Sequence, residues 1–241
     1  MPPEKNLVLF LDGTWARLDK GEESNVARLF RKTSWLNQQR YYDSGLGTGW
    51  TKVLGGFAGL GFRRNVRQAY HAVVEHYRPG VRIFIVGWSR GATEARTLCE
   101  WLHYSGVVHS ESLIDDAWRA FRLHTRPPPA DWVTVQGCLC FDTVGALGIP
   151  LHWWHKITIL NRGFRNLRAS SSLRNGLHLV AIDERRKSFA VTPWKGRQIT
   201  TIYLPGDHAD VGGGRAGGLA DISLQTAGIW LQARGVRMCP D

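Results

Sequence analysis

The segment RIFIVGWSRGATEAR, residues 82–96, decides how the rest of the sequence is interpreted. Its first part, Arg82–Trp88, is mostly apolar and β-forming, and a helix-like sequence begins directly after Ser89. Gly87 and Gly91 lie two residues to either side of that serine, which gives a Gly-x-Ser-x-Gly pattern. Between a strand and a helix, this pattern is typical of the sharp turn that exposes a nucleophilic serine. The alternative is a serine that only caps the helix.

Short apolar runs on both sides of this segment indicate the fold. Rich in Val, Ile, Leu or Phe, they predict buried strands at Asn6–Leu11, Arg82–Trp88, Val133–Phe141, Leu177–Ile182 and Ile199–Leu204. Apolar residues at helical spacing predict helices within residues 61–80 and 91–106. This alternation predicts an α/β fold with a mostly parallel sheet flanked by helices. We expect residues 1–241 to form one domain, with residues 149–176 as a short cap or insertion.

Composition narrows the class of protein. The chain has 241 residues, of which 43% are hydrophobic, enough for one large α/β domain. No apolar run has the length of a membrane span, and the N-terminal residues lack a signal-peptide pattern. We therefore expect a cytoplasmic location or delivery by a non-classical secretion system. The four cysteines show neither metal-binding spacing nor the density of a disulfide framework, so we expect no metal and no other cofactor.

The charge of the chain is strongly positive. The formal net charge is +11, from 31 basic and 20 acidic side chains, which favours anionic partners such as a membrane surface. The basic residues are scattered along the chain, and short clusters occur only at Arg63–Arg67 and Glu184–Lys187. We expect no specific nucleic-acid partner from this distribution.

Polar side chains follow each of the predicted strands. In chain order they are Asp12, Ser89, Asp142, Asp183 and His208. Because ligands bind at the carboxyl ends of strands in a parallel sheet, these residues are expected to share one functional edge.

A nucleophilic serine needs a base, and the base needs an orienting acid. Hydrolases with this serine turn carry the three in the chain order serine, acid, histidine. His208 is the candidate base, because it follows the last strand in the glycine-rich loop GDHADVGGG. Asp142 is the preferred acid. Asp183, which follows the next predicted strand, is the alternative. Asp142 is preferred because the charged residues Glu184–Arg186 can hold Asp183 in a local ion pair.

Backbone donors and a substrate surface complete the expected site. The backbone N–H of Arg90 is the first candidate for an oxyanion hole, and Gly13 or Thr14 is the candidate for the second donor. Trp153 and Trp154 lie in the predicted insertion, where they contact an acyl chain or lipid surface, or simply cover the sheet.

Several motifs together resemble a known family. They are LFLDGTW, SNVARLF, YYDSGLGTGW, GWSRGATEAR, FDTVGALG, LVAIDERRKSF and GDHADVGGG with LADISL, spread from Leu9 to Leu224. The set resembles the DUF2235 family of α/β hydrolases, which includes the Tle1 phospholipase effectors of type VI secretion. The resemblance implies a Ser-Asp-His hydrolase with Ser89 as nucleophile and His208 as base. Trp88 stands where the family usually has Phe, and the long insertions of effector members are missing here.

The sequence therefore predicts a serine hydrolase that cleaves carboxylic esters, with a lipid or phospholipid as the expected substrate. A small-molecule carboxylesterase without membrane action is the closest alternative. A metal-dependent phosphoesterase built on Asp12, Asp142 and His208, or a basic module that binds nucleic acid or anionic membrane, are further alternatives.

Overall fold

The computed structural model describes residues 5–13, 23–45, 57–145, 167–215 and 218–239. The strands are β1 (Asn6–Leu11), β2 (Gln38–Asp43), β3 (Arg82–Trp88), β4 (Val107–Val108), β5 (Ala130–Asp131), β6 (Val135–Phe141), β7 (Gly176–Ala181) and β8 (Ile199–Leu204). The α-helices are α1 (Asn25–Lys32), α2 (Phe57–His76), α3 (Arg90–Ser105), α4 (Ile114–Leu123), α5 (His208–Gly212) and α6 (Leu219–Gln232). Short 3₁₀ turns occur at Glu111–Leu113 and Lys187–Phe189.

The main sheet has six strands in the order β2-β1-β3-β6-β7-β8, and every neighbouring pair is parallel. The predicted parallel sheet with flanking helices is confirmed. The chain leaves β1 toward β2 on one side and returns to β3 on the other, so the order of strands reverses at β1 and β3. Ligands bind at such a reversal, at the carboxyl ends of the strands. β4 and β5 form a separate antiparallel pair.

Side chains of the central strands enter two apolar layers, one on each face of the sheet. Along β1, Leu7, Leu9 and Leu11 pack in the layer that also contains apolar residues of α2, α3 and α4. Val8 and Phe10 pack in the other layer, with residues of α1, α5 and α6. Because alternate residues of a strand point to opposite faces, burial on both faces requires an unbroken apolar run.

The structure differs from the sequence prediction mainly at the edge of the sheet. β2 has the polar sequence QQRYYD, and the prediction missed it because an edge strand with mostly half-buried residues needs no apolar run. β1, β3 and β8 have the predicted bounds, whereas β6 begins two residues later and β7 is shifted by one residue.

Most of the predicted insertion, residues 149–166, lies outside the described residues. Residues 167–175 lead into β7 and form isolated bridges, between Arg168 and Lys195 and between Leu173 and Val135. Among the described helices, none combines the length and apolar character that crossing a bilayer requires.

Candidate active site

Ser89 occupies a strained turn between β3 and α3. Its backbone angles are φ 57° and ψ −119°, which non-glycine residues rarely adopt. Although Ser89 is in the N-cap position of α3, its side chain makes no capping hydrogen bond. The hydroxyl is therefore not used as a helix cap, and the strained backbone is the geometry expected of a nucleophile turn.

The two glycines of the turn are required by close backbone contacts. A Cβ atom at Gly87 would overlap the carbonyl oxygen of Gly91. A Cβ atom at Gly91 would overlap the carbonyl oxygen of Leu11 and lie 2.6 Å from that of Asp12. The turn after β3 thus presses directly against the end of β1, at the point where the strand order reverses.

Asp142 and His208 form a buried pair at the same edge. Asp142 follows β6 and has a φ of 33°, and its Oδ2 lies 2.6 Å from Nδ1 of His208. The two side chains are 1% and 5% exposed. The other carboxylate oxygen accepts the backbone N–H of Ala181 at 3.0 Å. Both oxygens of Asp142 therefore have partners, and one of them holds the imidazole.

The position of His208 is fixed by a helix start. His208 is the first residue of α5, and Asp207 accepts the backbone N–H groups of Ala209 and Asp210. The Asp210 carboxylate in turn accepts the N–H of Asp207 at 2.8 Å, which completes a capping box. Asp210 therefore braces the loop that carries the histidine.

Two aromatic side chains contact the His208 imidazole. The Trp88 ring stacks on it with centroids 5.3 Å apart, and the Phe189 ring lies 4.9 Å away at an angle of 56°. The Trp88 indole packs so closely on Gly212 that a Cβ atom there would overlap it. Because Trp88 precedes Ser89, these contacts join the nucleophile turn to the helix that carries His208. No local sequence pattern indicates either aromatic contact.

The segment after β7 holds the backbone of His208. Glu184 accepts the backbone N–H of His208 at 3.2 Å and is paired with Arg186, whose hydrogen bonds lower the pKa of Glu184 to about 2. The Arg186 guanidinium lies 4.1 Å over the Phe189 ring. Asp183 instead accepts the N–H of Gly206 at 2.8 Å. The ion pair that the sequence analysis assigned to Asp183 is thus made by Glu184.

Asp12 anchors the loop after β1. One carboxylate oxygen accepts from the Ser24 hydroxyl and, at 2.8 Å, from the Tyr42 hydroxyl. The other accepts the N–H of Gly13 at 2.7 Å. Burial raises the pKa of Asp12 to about 6, although these hydrogen bonds oppose the shift.

The candidate oxyanion donors differ in availability. The Gly13 N–H is bonded to Asp12, as described above. Arg90 is the first residue of α3, and N–H groups in the first turn of a helix have no acceptor within the helix. Thr14, Trp153 and Trp154 lie outside the described residues.

The alternative metal site does not form a cluster in the described part of the chain. There, no group of three or more His, Cys, Asp or Glu side chains is arranged to hold a metal ion. Of the three proposed ligands, Asp142 and His208 bind each other, whereas Asp12 is bonded to Ser24, Tyr42 and Gly13.

Comparison with known proteins finds a family whose model matches this chain. The family model described as type VI secretion system, phospholipase effector Tle1-like, catalytic domain, matches residues 5–136 and 123–227. A curated relative, an uncharacterized protein of Saccharomyces cerevisiae, is 23% identical, and the match covers 77% of this chain and 32% of the yeast protein.

Solved structures share the fold. An uncharacterized protein from Pseudomonas aeruginosa superposes with a TM-score of 0.61 at 18% identity, over 98% of this chain and 47% of that one. A Tle1 effector bound to the VgrG spike gives 0.56 at 17% identity, over 89% and 52%. Native esterase 2 of Thermogutta terrifontis gives 0.52 at 15% identity, over 99% and 84%.

These likenesses show the α/β-hydrolase fold, as expected from the sequence. The chain spans about half the length of the first two of these structures. Because the family model covers nearly the whole chain, the chain belongs to the family of Tle1-like catalytic domains of type VI secretion phospholipase effectors.

Proposed function

We propose that this protein is a serine hydrolase that cleaves carboxylic esters, with lipids or phospholipids as substrates. The observation that carries the proposal is the buried 2.6 Å contact between Asp142 Oδ2 and His208 Nδ1 beside a strained Ser89 turn. A carboxylate holding one nitrogen of an imidazole leaves the other nitrogen to accept a proton, which is the arrangement that activates a serine hydroxyl.

The reaction follows from these groups in two steps. His208 Nε2 takes the proton of the Ser89 hydroxyl, and the serine oxygen attacks the ester carbonyl to give a tetrahedral oxyanion. His208 returns the proton to the leaving alcohol, and an acyl-enzyme remains. In the second step His208 activates water, which attacks the acyl-enzyme and releases the acid. Asp142 stabilises the imidazolium in both steps.

Asp142 is the acid of this proposal rather than Asp183. The carboxylate of Asp142 contacts the imidazole, whereas that of Asp183 accepts the backbone N–H of Gly206. A carboxylate supports the base by bonding its N–H, so the contact with the imidazole supports Asp142 as the acid.

The oxyanion is stabilised by the N–H of Arg90 at the start of α3, where the helix dipole also favours negative charge. Gly13 is the second donor of the proposal. A Cβ atom built on Gly13 would lie 3.4 Å from the Cβ of Ser89, so this residue is adjacent to the nucleophile. Its N–H has to exchange Asp12 Oδ1 for the oxyanion during the reaction.

A lipid substrate is supported by the family, whose members are described as phospholipase effectors. The likeness to a Tle1 effector bound to VgrG also supports delivery by a type VI secretion apparatus. Failure of the protein to bind the VgrG of its own cell in a co-purification experiment would contradict this delivery.

The test is a panel of soluble esters and phospholipids with wild type and Ser89→Ala, with products identified by mass spectrometry. We expect wild type to release a fatty acid from phospholipid and Ser89→Ala to lose the activity on every ester. Hydrolysis of soluble esters alone would identify the small-molecule carboxylesterase. Full activity of a correctly folded Ser89→Ala protein would overturn the proposal.

A further inference from the structure

The two basic clusters of the sequence are far apart in the chain but lie at the same edge of the sheet. The first, Arg63–Arg67, is in the first half of α2, and the second, Glu184–Lys187, directly follows β7. Helices that connect parallel strands run opposite to the strands, so the first half of α2 lies at the carboxyl edge. Both clusters therefore flank Ser89 and His208.

Contacts fix the first cluster beside the nucleophile turn. Asn65 of this cluster donates to Glu94 at 3.3 Å, and Glu94 lies one turn after Arg90 in α3. Arg63 and Arg64 are exposed to solvent. The first half of α2 thus lies beside the first half of α3, which directly follows Ser89.

The second cluster lies beside His208, and exposed apolar residues lie next to it. Arg186 is bound to Glu184, but Arg185 and Lys187 are exposed and form no ion pair within the described part of the chain. Ile182 follows β7, three residues before Arg185, and donates its backbone N–H at 3.0 Å to the carbonyl of Leu204, the residue after Tyr203 in the edge strand β8. Ile182 and Tyr203 are 60% and 66% exposed.

This combination is the chemistry of a membrane-facing surface. Lys and Arg are attracted to anionic headgroups, whereas an exposed Ile and Tyr lower their free energy by entering the interface of a bilayer. A nucleic-acid phosphate backbone would satisfy the charges but would leave Ile182 without an apolar partner.

We propose that Ile182, Arg185, Lys187 and Tyr203, here called the rim, dock on an anionic lipid bilayer, with Arg63 and Arg64 as a second contact. The inference rests on the proposed function, because docking at this edge presents lipid esters to Ser89. Arg186 and Glu184 are not part of the rim, since they support His208.

The test is co-sedimentation with vesicles of phosphatidylcholine or of an equal mixture of phosphatidylcholine and phosphatidylglycerol. All proteins carry Ser89→Ala so that the vesicles stay intact. Removing the two rim charges in Arg185→Gln/Lys187→Gln should lower the partition coefficient on mixed vesicles about 30-fold. Ile182→Ser/Tyr203→Ser should lower it about 10-fold on the same vesicles.

A matched control separates the rim from the overall charge. Arg174 and Arg197 are exposed and lie at the opposite edge, just before β7 and β8. Arg174→Gln/Arg197→Gln removes the same charge and should leave the partition coefficient within about threefold of the parent. If the partition coefficient falls equally in this control, or falls in neither rim variant, the proposal that the rim docks on the bilayer is overturned.

Two further measurements keep docking distinct from catalysis. Rim variants with Ser89 intact should hydrolyse a soluble ester at the wild-type rate, which supports a docking role. Rim-dependent binding to a DNA duplex without rim-dependent binding to vesicles would overturn the lipid proposal. If rim-dependent vesicle binding persists while wild type hydrolyses no ester, the proposed function fails and the docking surface stands.

Discussion

Asp12 and Asp142 lie in corresponding positions but have different partners. Each follows a central parallel strand at the carboxyl edge of the sheet, and each is 1% exposed. Asp142 contacts an imidazole, which can carry a positive charge. Asp12 is held by two hydroxyls and one backbone N–H, which are neutral donors.

This difference shows that the position of a carboxylate at a strand end does not define its role. A buried carboxylate next to a base can stabilise the imidazolium formed during proton transfer. A buried carboxylate among neutral donors keeps its desolvation penalty, which explains why the pKa of Asp12 is raised to about 6. We therefore propose a role in the reaction for Asp142 and a structural role in the neighbouring loop for Asp12.

The largest expected effect is on catalytic activity, which substitution of Asp142 should lower far more than substitution of Asp12. Asp142→Asn should lower kcat on a soluble ester about 10⁴-fold, because an amide can no longer select the reactive tautomer of His208. Asp12→Asn should lower it by less than about 10-fold, through its effect on the Gly13 loop. Steady-state kinetics of both variants measures this. Equal losses would contradict the assignment.

The second prediction concerns the contact between the Ser89 turn and the Asp12 strand end. Gly91→Ala introduces a Cβ that overlaps the Leu11 carbonyl, so unfolding free energy should fall by more than about 3 kcal/mol. Gly228→Ala, in α6, meets no heavy atom within 4 Å and should raise it by about 1 kcal/mol. Denaturant titrations compare them. A Gly91→Ala protein of wild-type stability would contradict the close contact.

The third prediction uses the raised pKa of Asp12. Since the folded protein favours the protonated acid, the Asp12 contribution to stability is fully present below the ordinary pKa of 3.8 and is lost as pH rises to about 6. Between those pH values the free energy of unfolding of wild type should fall by about 3 kcal/mol relative to that of Asp12→Asn. Paired denaturant titrations across this range measure the difference. A difference that does not change with pH would show that Asp12 is not buried as an acid.

The smallest expected effect concerns the aromatic contact that supports His208, the partner of Asp142. Phe189→Leu removes an aromatic contact of the His208 imidazole worth about 1 kcal/mol, so kcat should fall about fivefold with little change in KM. Trp132→Leu replaces an exposed aromatic after β5 and serves as the control. A change in KM alone would instead assign Phe189 to substrate binding.

The sequence predicted the sheet and the polar residues at its edge because both depend on local patterns. Buried parallel strands require unbroken apolar runs, and Gly87 and Gly91 mark the Ser89 turn. The sequence could not predict β2, whose polar residues suit a strand at the edge of the sheet.

Long-range contacts were also beyond the sequence. Asp12 contacts the hydroxyls of Ser24 and Tyr42, and Trp88 and Phe189 contact His208. These contacts join separate segments of the chain, and no local pattern specifies them. The pairing of Arg186 with Glu184 is local, but the four consecutive charged residues 183–186 allow either Asp183 or Glu184 to be the partner, so the sequence could not decide between them.

The most direct test of the account is covalent labelling of Ser89 by a fluorophosphonate, followed by intact-mass and peptide analysis. We predict a single adduct on Ser89 that is absent in Ser89→Ala, formed far more slowly in Asp142→Asn, and formed at nearly the wild-type rate in Asp12→Asn. An adduct on another residue, or equal labelling rates in the two aspartate variants, would contradict it.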